Sequence, residues 1–508
     1  MTQQINDGPD EGAEAAPPTP AASPAKNGAG VAGLHTARAS QLDAARPSAV
    51  DRVHDTGRLT ARERLTALLD PGSEVEYGTI AARSVQGEWV PEAGGVDMVG
   101  TIDGQTVIAS STDFTDKGGG YGAGRLERLF ALAQEHRWPV VFFVDGGGSR
   151  ARHPRTGRGD LELNGSFGRF QLFDGIAELS GWVPTVAIVS GPSFAGHASL
   201  AGFSDFVIAT GGSSIGMGGP PMVEAALGVS MSASELAGVE MHEVTGGIDL
   251  LVDTEPEAIQ AAKQYLSYYR AWPTGTTIDL GLASLTAATV ASLVLGPPPD
   301  TAHDSGQHKV YDMEPVIEAL VDADSFFALR PRFAQSVITG LARMNGRSVG
   351  VIASQPLVDD GAIDENAATK VGRMVELCDT YELPIISLID TPGCISRSRP
   401  GLNRWHLRPV MAHHHRTVPL FAVQVGRGGG LGPAVLAGLA SGRSVPVLWL
   451  AWPTTELGRT DGFSAVRNQN AYDDVVAPAE TRTRIMRLLS GMERRLDRTT
   501  KKHPVDTW

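Results

Sequence analysis

The chain has 508 residues, 42% of them hydrophobic and 20% charged, with a formal net charge of −14 at neutral pH. That length suits about two to four domains, and the composition is that of an ordinary soluble globular protein. The acidic balance excludes nucleic acid and anionic membrane surfaces as expected partners, since both select basic patches. The two cysteines, Cys378 and Cys394, exclude a disulfide framework and a four-cysteine zinc site, and read as reduced thiols.

Residues 1–50 are rich in Pro, Ala and Gly (EGAEAAPPTPAASPAKNGAG) and lack the apolar residues needed to bury a core, so they read as a disordered arm. No cationic start runs into an apolar core, so no export signal is read and a cytoplasmic location is expected. From residue 51 the chain says the same thing twice. MVGTIDGQTVIASSTDFT (98–115) is followed by a helical segment and WPVVFFVDGGGSR (138–150). RMNGRSVGVIASQP (343–356) is followed by a helical segment and LPIISLIDTPGC (383–394). Each copy has a hairpin turn (Asp103-Gly104, Asn345-Gly346), a strand, a helix and a Pro-led strand that ends in an aspartate, Asp145 or Asp390. Each continues with a second Pro-led strand running into glycines, PTVAIVSGPSFAG and VPLFAVQVGRGGGLG, and then a third strand. Apolar strands alternating with helices predict βαβ units and parallel sheets. We read a duplicated α/β fold: one domain over 51–270, a linker over 271–310 and a second domain over 311–508. Within the linker, LGLASLTAATVASLVL (280–295) carries no charge, but it is short for a membrane span and reads as a helix or linker pressed onto the protein.

In open α/β sheets the ligand site lies at the carboxyl ends of strands, where the glycine turns fall. A turn from strand to helix presents backbone N–H groups that have no acceptor within the helix. Ala195-Gly196-His197 and Gly428–Gly432, centred on Gly430-Leu431, are the two candidates, and each would form an oxyanion hole. The plain alternative is that small residues only let helix and strand pack, but two turns at matched places in a duplicated chain favour function. A phosphate loop fits less well, because no GxxxxGK[ST] is present.

These residues resemble the carboxyltransferase (β) subunits of biotin-dependent acyl-CoA carboxylases. The resemblance is carried by TARERLTALLDPGS (60–73), GTIDGQTVIASSTDFT (100–115), FFVDGGGSR (142–150), GPSFAGHASLAGFSD (191–205) and YDMEPVIEALVDADSFF (311–327). In the second half it is carried by IASQPLVDDGAID with the later Lys370, CDTYELPIISLIDTPG (378–393) and LAWPTTELG (450–458). It implies two crotonase-like domains and a site shared between the first domain of one subunit and the second domain of its partner, in a trimer of dimers. It implies that Ala195-Gly196-His197 holds the acyl-CoA thioester oxygen and Gly430-Leu431 the biotin ureido oxygen. Gly146, Gly147, Gly148, Gly218, Gly219, Gly393 and Cys394 are then expected to line the substrate. Carboxybiotin would arrive in trans from a biotin carboxylase/carrier partner, since the sequence shows neither a Met-Lys-Met carrier motif nor an ATP-grasp region. No metal is expected, because the cofactor supplies the base and the protein supplies electrostatics.

Both turns depart from the family pattern. Gly429 stands where a tyrosine is usual, His197 replaces a second glycine, and Cys394 replaces an aromatic before CISRSRPGLNRWHLRPVMAHHHR. His413-His414-His415 reads as a solvated or phosphate-facing run rather than a metal site, since consecutive helical side chains diverge by about 100°. Arg397, Arg399 and Arg404 read equally as phosphate or carboxylate partners and as loop charges. These departures keep two other readings open: a biotin-independent decarboxylase of a carboxylated thioester or polyketide-like compound, and a non-catalytic scaffold subunit.

Overall fold

The computed structural model describes residues 31–80, 82–85, 88–91, 94–114, 119, 125–147, 172–273, 310–397, 404–439, 442, 445–457, 460–461, 472–494 and 499–507. The uncharged stretch 280–295, Gly148 and Arg399 lie outside them. No helix among the described residues is long and apolar enough to cross a membrane.

Two sheets repeat one topology. The first runs in the order Val75–Tyr77, Gly95–Ile102, Gln105–Thr112, Val140–Phe143, Thr185–Val189, Phe206–Thr210, Leu250–Val252. Its first three strands pair antiparallel and the rest parallel. The second follows the same plan through Phe327–Leu329, Val337–Met344, Arg347–Ser354, Ile385–Thr391, Leu420–Gly428, Leu448–Ala451 and Asp474–Val475. This is the duplicated crotonase-like α/β arrangement. The parallel strands are buried on both faces, as helix-covered sheets require, and read as continuous apolar runs.

The hairpins show how local sequence sets this plan. Asp103 and Gly104 (φ 46° and 79°) and Asn345 and Gly346 (φ 51° and 75°) all take the left-handed backbone of a two-residue hairpin turn. In each copy one upstream carboxylate accepts both turn amides: Asp70 from Asp103 and Gly104 (3.0 and 2.8 Å), Asp322 from Asn345 and Gly346 (2.8 and 2.7 Å).

One hydrophobic core crosses both halves. Phe206 of the first sheet stacks on Tyr265 (4.3 Å) and meets Phe327 of the second sheet edge-on (5.7 Å). The helix Glu365–Thr380 is buried along nearly its whole length. Its Lys370 donates to the Phe333 and Val337 carbonyls, each at 2.8 Å, and burial pushes that ammonium down to about 7. The C-terminal segment straps the halves together, Val505 N–H donating to Ser180 Oγ (2.9 Å) and Lys502 pairing with Glu382 (2.7 Å).

The arm differs from its sequence reading from Val31 onward. Val31–Gln41 and Pro47–His54 are helices joined by a short 3₁₀ turn, Asp43–Ala45. Their anchors are polar and long-range, which composition does not register: Thr60 Oγ1 donates to Asp43 (2.6 Å), Arg46 pairs with Asp113 (2.9 Å), and Arg62 reaches the Gln41 carbonyl (2.8 Å).

Candidate active site

Each copy is built around the aspartate that ends its central strand. Asp145 is fully buried. It accepts from Arg64 Nη2 at Oδ2 (2.6 Å) and from Ser190 N–H at Oδ1 (3.1 Å). Arg64 also donates to Glu255 Oε1 (2.5 Å), so one guanidinium joins two buried carboxylates. Arg64 sits on the helix Ala61–Leu68, started by a Thr60/Glu63 capping box. Asp390, equally buried, accepts at Oδ1 from the Arg427 N–H and Nε (3.1 and 3.2 Å) and at Oδ2 from Tyr311 O–H (3.0 Å). Glycines make room for both: a Cβ at Gly119 would lie 2.4 Å from the Asp145 carbonyl, and one at Gly361 would lie 2.6 Å from the Asp390 carbonyl. Sequence reasoning marked the aspartates only as strand ends. Their partners Arg64, Arg427 and Tyr311 lie 81, 37 and 79 positions away, beyond any local pattern.

The first glycine turn is locked from both sides. Pro192–Phe194 pairs in parallel with Ser214–Gly216 in a small second sheet, and Gly146 bridges Ser193. Ala195 takes φ 53°, ψ −117°, a sparsely populated conformation for a residue with a side chain that costs about 1–3 kcal/mol. Its N–H donates to the Gly216 carbonyl (3.0 Å). Ala195 therefore sets the bend but has no amide to offer, which corrects the sequence expectation for that residue. The helix Gly196–Phe203 starts at once, and the Gly196 N–H has no acceptor among the described residues. The His197 ring lies on Gly146, where a Cβ would fall 2.1 Å from Cε1. Gly219 caps the helix Pro220–Leu227, and a Cβ on it would lie 3.4 Å from the Gly147 carbonyl and 3.5 Å from the Phe194 ring. Gly146, Gly147, Gly219 and the adjoining Gly218 are thus gathered round the Ala195 turn.

The second turn repeats the first with different residues. The Gly429 N–H donates to the Thr391 carbonyl and the Gly432 N–H to the Gly429 carbonyl, each at 3.0 Å. Between them Gly430 takes φ 50°, and the N–H groups of Gly430 and Leu431 have no acceptor among the described residues. Gly393 (φ 122°) packs backbone to backbone on Gly429. A Cβ at residue 429 would lie 1.9 Å from the Pro392 carbonyl, so in this backbone the position accepts only glycine. Cys394 bridges Ile363, and burial pushes its thiol up to about 11, which keeps it protonated at neutral pH.

The histidine run is corrected at its first member. His413 is fully buried and its Nε2 hydrogen-bonds with the Val435 carbonyl (3.1 Å), so it supports the helix Gly432–Ala437 behind the second turn. His414 and His415 are exposed, as the 100° spacing requires. Arg397 pairs with Asp359 (2.9 Å) and Arg404 is exposed at the start of Arg404–His415.

Burial lowers two of these imidazoles, His197 to about 4 and His413, with Arg416 beside it, to about 3. Both are neutral when folded and protonate near 6.5 when unfolded, so below that pH the unfolded chain binds more protons. The contribution of these two histidines to stability is therefore expected to be full above about 6.5 and to fall by about 1.4 kcal/mol per pH unit for each as pH drops toward 4. Urea midpoints at pH 7.5 and pH 5 check this; equal midpoints would contradict it.

A cavity of about 940 Å³ opens elsewhere, between Ser180 and Phe203 of the first half and Glu376, Met411 and His503 of the second. None of the glycine-turn residues lines it. Its lining is mixed in charge, with Glu376, Asp379, Arg408 and Lys502 among the residues around it.

Comparison with known proteins bears on both halves. Residues 52–467 match the family model of the carboxyl transferase domain. The chain is 31% identical to the biotin-dependent acetyl-/propionyl-coenzyme A carboxylase beta5 subunit of Mycobacterium tuberculosis, over 86% of this chain and 80% of that one. Among solved structures it resembles the transcarboxylase 12S hexamer, solved with methylmalonyl-coenzyme A and methylmalonic acid bound. That match has a TM-score of 0.79 at 26% identity, over 93% of this chain and 98% of that one. It also resembles a single-chain, multi-domain long-chain acyl-CoA carboxylase (TM-score 0.75, 32% identity). There it covers 90% of this chain but only 48% of the larger protein. With the duplicated fold, the matched pair of glycine turns and a family match over most of its length, this chain belongs to the carboxyl transferase domain family.

Proposed function

We propose that this protein is the carboxyltransferase subunit of a biotin-dependent acyl-CoA carboxylase. The observation that carries the reading is the pair of matched turns, each bent by a positive-φ residue (Ala195 at 53°, Gly430 at 50°) and each followed by amides at a strand end. The first-turn amides, Gly196 and His197, bind the thioester oxygen and strengthen as enolate charge develops. The second-turn amides, Gly430 and Leu431, bind the ureido oxygen of the co-substrate. Carboxybiotin, brought by a carrier on another chain, supplies the CO2 and the base when bound. Gly146 makes room for the neutral His197 ring beside the first turn, so the developing charge is met by backbone N–H groups and not by an imidazolium.

The biotin-independent decarboxylase reading is motivated by His197, read as an acid or base, by Cys394 and by the altered segment that follows Asp390. A buried imidazole held near 4 and a thiol held near 11 do not favour it. The assembly we propose is a homo-hexamer, a trimer of dimers, in which the turn of one subunit's 51–270 domain faces the turn of its partner's 311–508 domain. A biotin carboxylase/carrier subunit completes the enzyme.

The test is reconstitution with biotin carboxylase and carrier subunits and labelled bicarbonate. Incorporation into a short acyl-CoA, abolished by avidin, is expected. No incorporation into any acyl-CoA beside an active control subunit would overturn the reading.

A further inference from the structure

The two turns are held by different clamps. In the first half Arg64 is buried with both of its carboxylates. In the second, Arg427 is the penultimate residue of the strand Leu420–Gly428, just before the turn, and reaches outward. Its N–H and Nε hold Asp390, while Nη1 and Nη2 close on Asp360 at Oδ2 (2.6 Å), Oδ1 (2.9 Å) and the backbone carbonyl (2.8 Å). Asp359, Asp360 and Gly361 are three consecutive left-handed residues (φ 51°, 59° and 73°), a run that sterics disfavour for the two aspartates. The Gly361 carbonyl accepts Thr391 Oγ1 (2.6 Å), which accepts the Gly393 N–H (3.1 Å), and the Thr391 carbonyl accepts the Gly429 N–H (3.0 Å). Arg427, Asp360, Gly361, Thr391 and Gly429 thus form a closed ring of contacts around the turn.

We propose that Arg427 and Asp360 are positioning residues that fix the orientation of the Gly430 and Leu431 amides. The inference rests on the reading of those amides as donors to the biotin co-substrate. The planar guanidinium fork grips Asp360 through two nitrogens, which a lysine ammonium cannot reproduce. The Asp360 side chain is 47% exposed, so the pair adds little to stability. Its effect lies in geometry: it keeps the left-handed loop from relaxing, and through Thr391 it keeps Gly393 and Gly429 stacked. Neither residue touches the reacting atoms.

The experiment uses the full chain with Arg427→Lys, Asp360→Asn and the double variant, reconstituted with carboxylase and carrier subunits. Turnover is expected to fall about tenfold to a hundredfold in each. The KM for acyl-CoA should stay within about twofold, since the thioester is held by the other half. The double variant should be no worse than the poorer single one, because one ring is broken either way. Hydrogen exchange supplies a readout independent of activity: amides at Gly393 and Gly429 should exchange faster in the variants, with residues 193–203 unchanged. If the wild type carries no label to acyl-CoA, the functional reading fails while exchange still decides the positioning role. Unchanged exchange at Gly393 and Gly429 overturns the proposal. So does turnover within twofold of wild type, or a loss matched by a fall in melting temperature that accounts for it.

Discussion

Gly430→Val is expected to lower turnover by about two to three orders of magnitude, the loss that follows removal of one oxyanion donor. The cause is the backbone. Gly430 sits at φ 50°, which a β-branched residue avoids, so the turn should flip and carry its amides away. Crowding is not the cause, because a Cβ there meets nothing within 4 Å. The surrounding fold has its own supports: Ser387 Oγ donates to the Leu436 carbonyl (3.0 Å), and His413 bonds with Val435. Assembly on a sizing column should therefore be unchanged. Mixing this variant with a Gly196→Val chain should restore part of the activity, since some mixed dimers would carry one undamaged shared site. Turnover within tenfold of wild type would remove Gly430 and Leu431 from the chemistry. Failure of complementation between subunits shown to exchange would remove the shared site.

Arg64→Met should be the most destabilising single change in the first half, at about 3–5 kcal/mol. Methionine keeps most of the volume but leaves Asp145 and Glu255 buried without their shared cation. Among the described residues Glu255 Oε2 keeps the Leu59 N–H (2.6 Å), and Asp145 keeps the Ser190 N–H with a longer contact to Arg58 (3.4 Å). Breaking a buried pair costs more than the pair contributed, because an uncompensated charge remains. Denaturation in urea at fixed protein concentration measures the loss. A change below about 1 kcal/mol would mean that Arg58 or solvent takes over the role. Asp360→Asn should melt close to wild type, since that end of the clamp reaches the surface.

Much of the architecture was legible in the residues. The two hairpins were marked by Asp-Gly and Asn-Gly, whose left-handed preference is a property of the residues themselves. The parallel strands were marked by their apolar runs, and both glycine turns fell at strand ends as read. The duplication was visible because every one of these signals occurs twice in the same order. What lies between elements was not legible. The helices of residues 31–50 form on ion pairs and hydrogen bonds to Thr60, Arg62 and Asp113, which no window of composition can register. The three consecutive histidines look alike in sequence, but packing buries His413 alone. Ala195 reads as the first of the three turn residues, yet its amide is consumed by Gly216 and its role is to hold the bend. By itself, then, the sequence determined which elements form, that they form twice, and where glycine turns follow strands, because these depend on each residue and its near neighbours. Only the tertiary structure decided which amides keep no acceptor, which imidazoles stay neutral and which arginine holds which turn. Those depend on groups tens of positions apart that meet only when both sheets are packed.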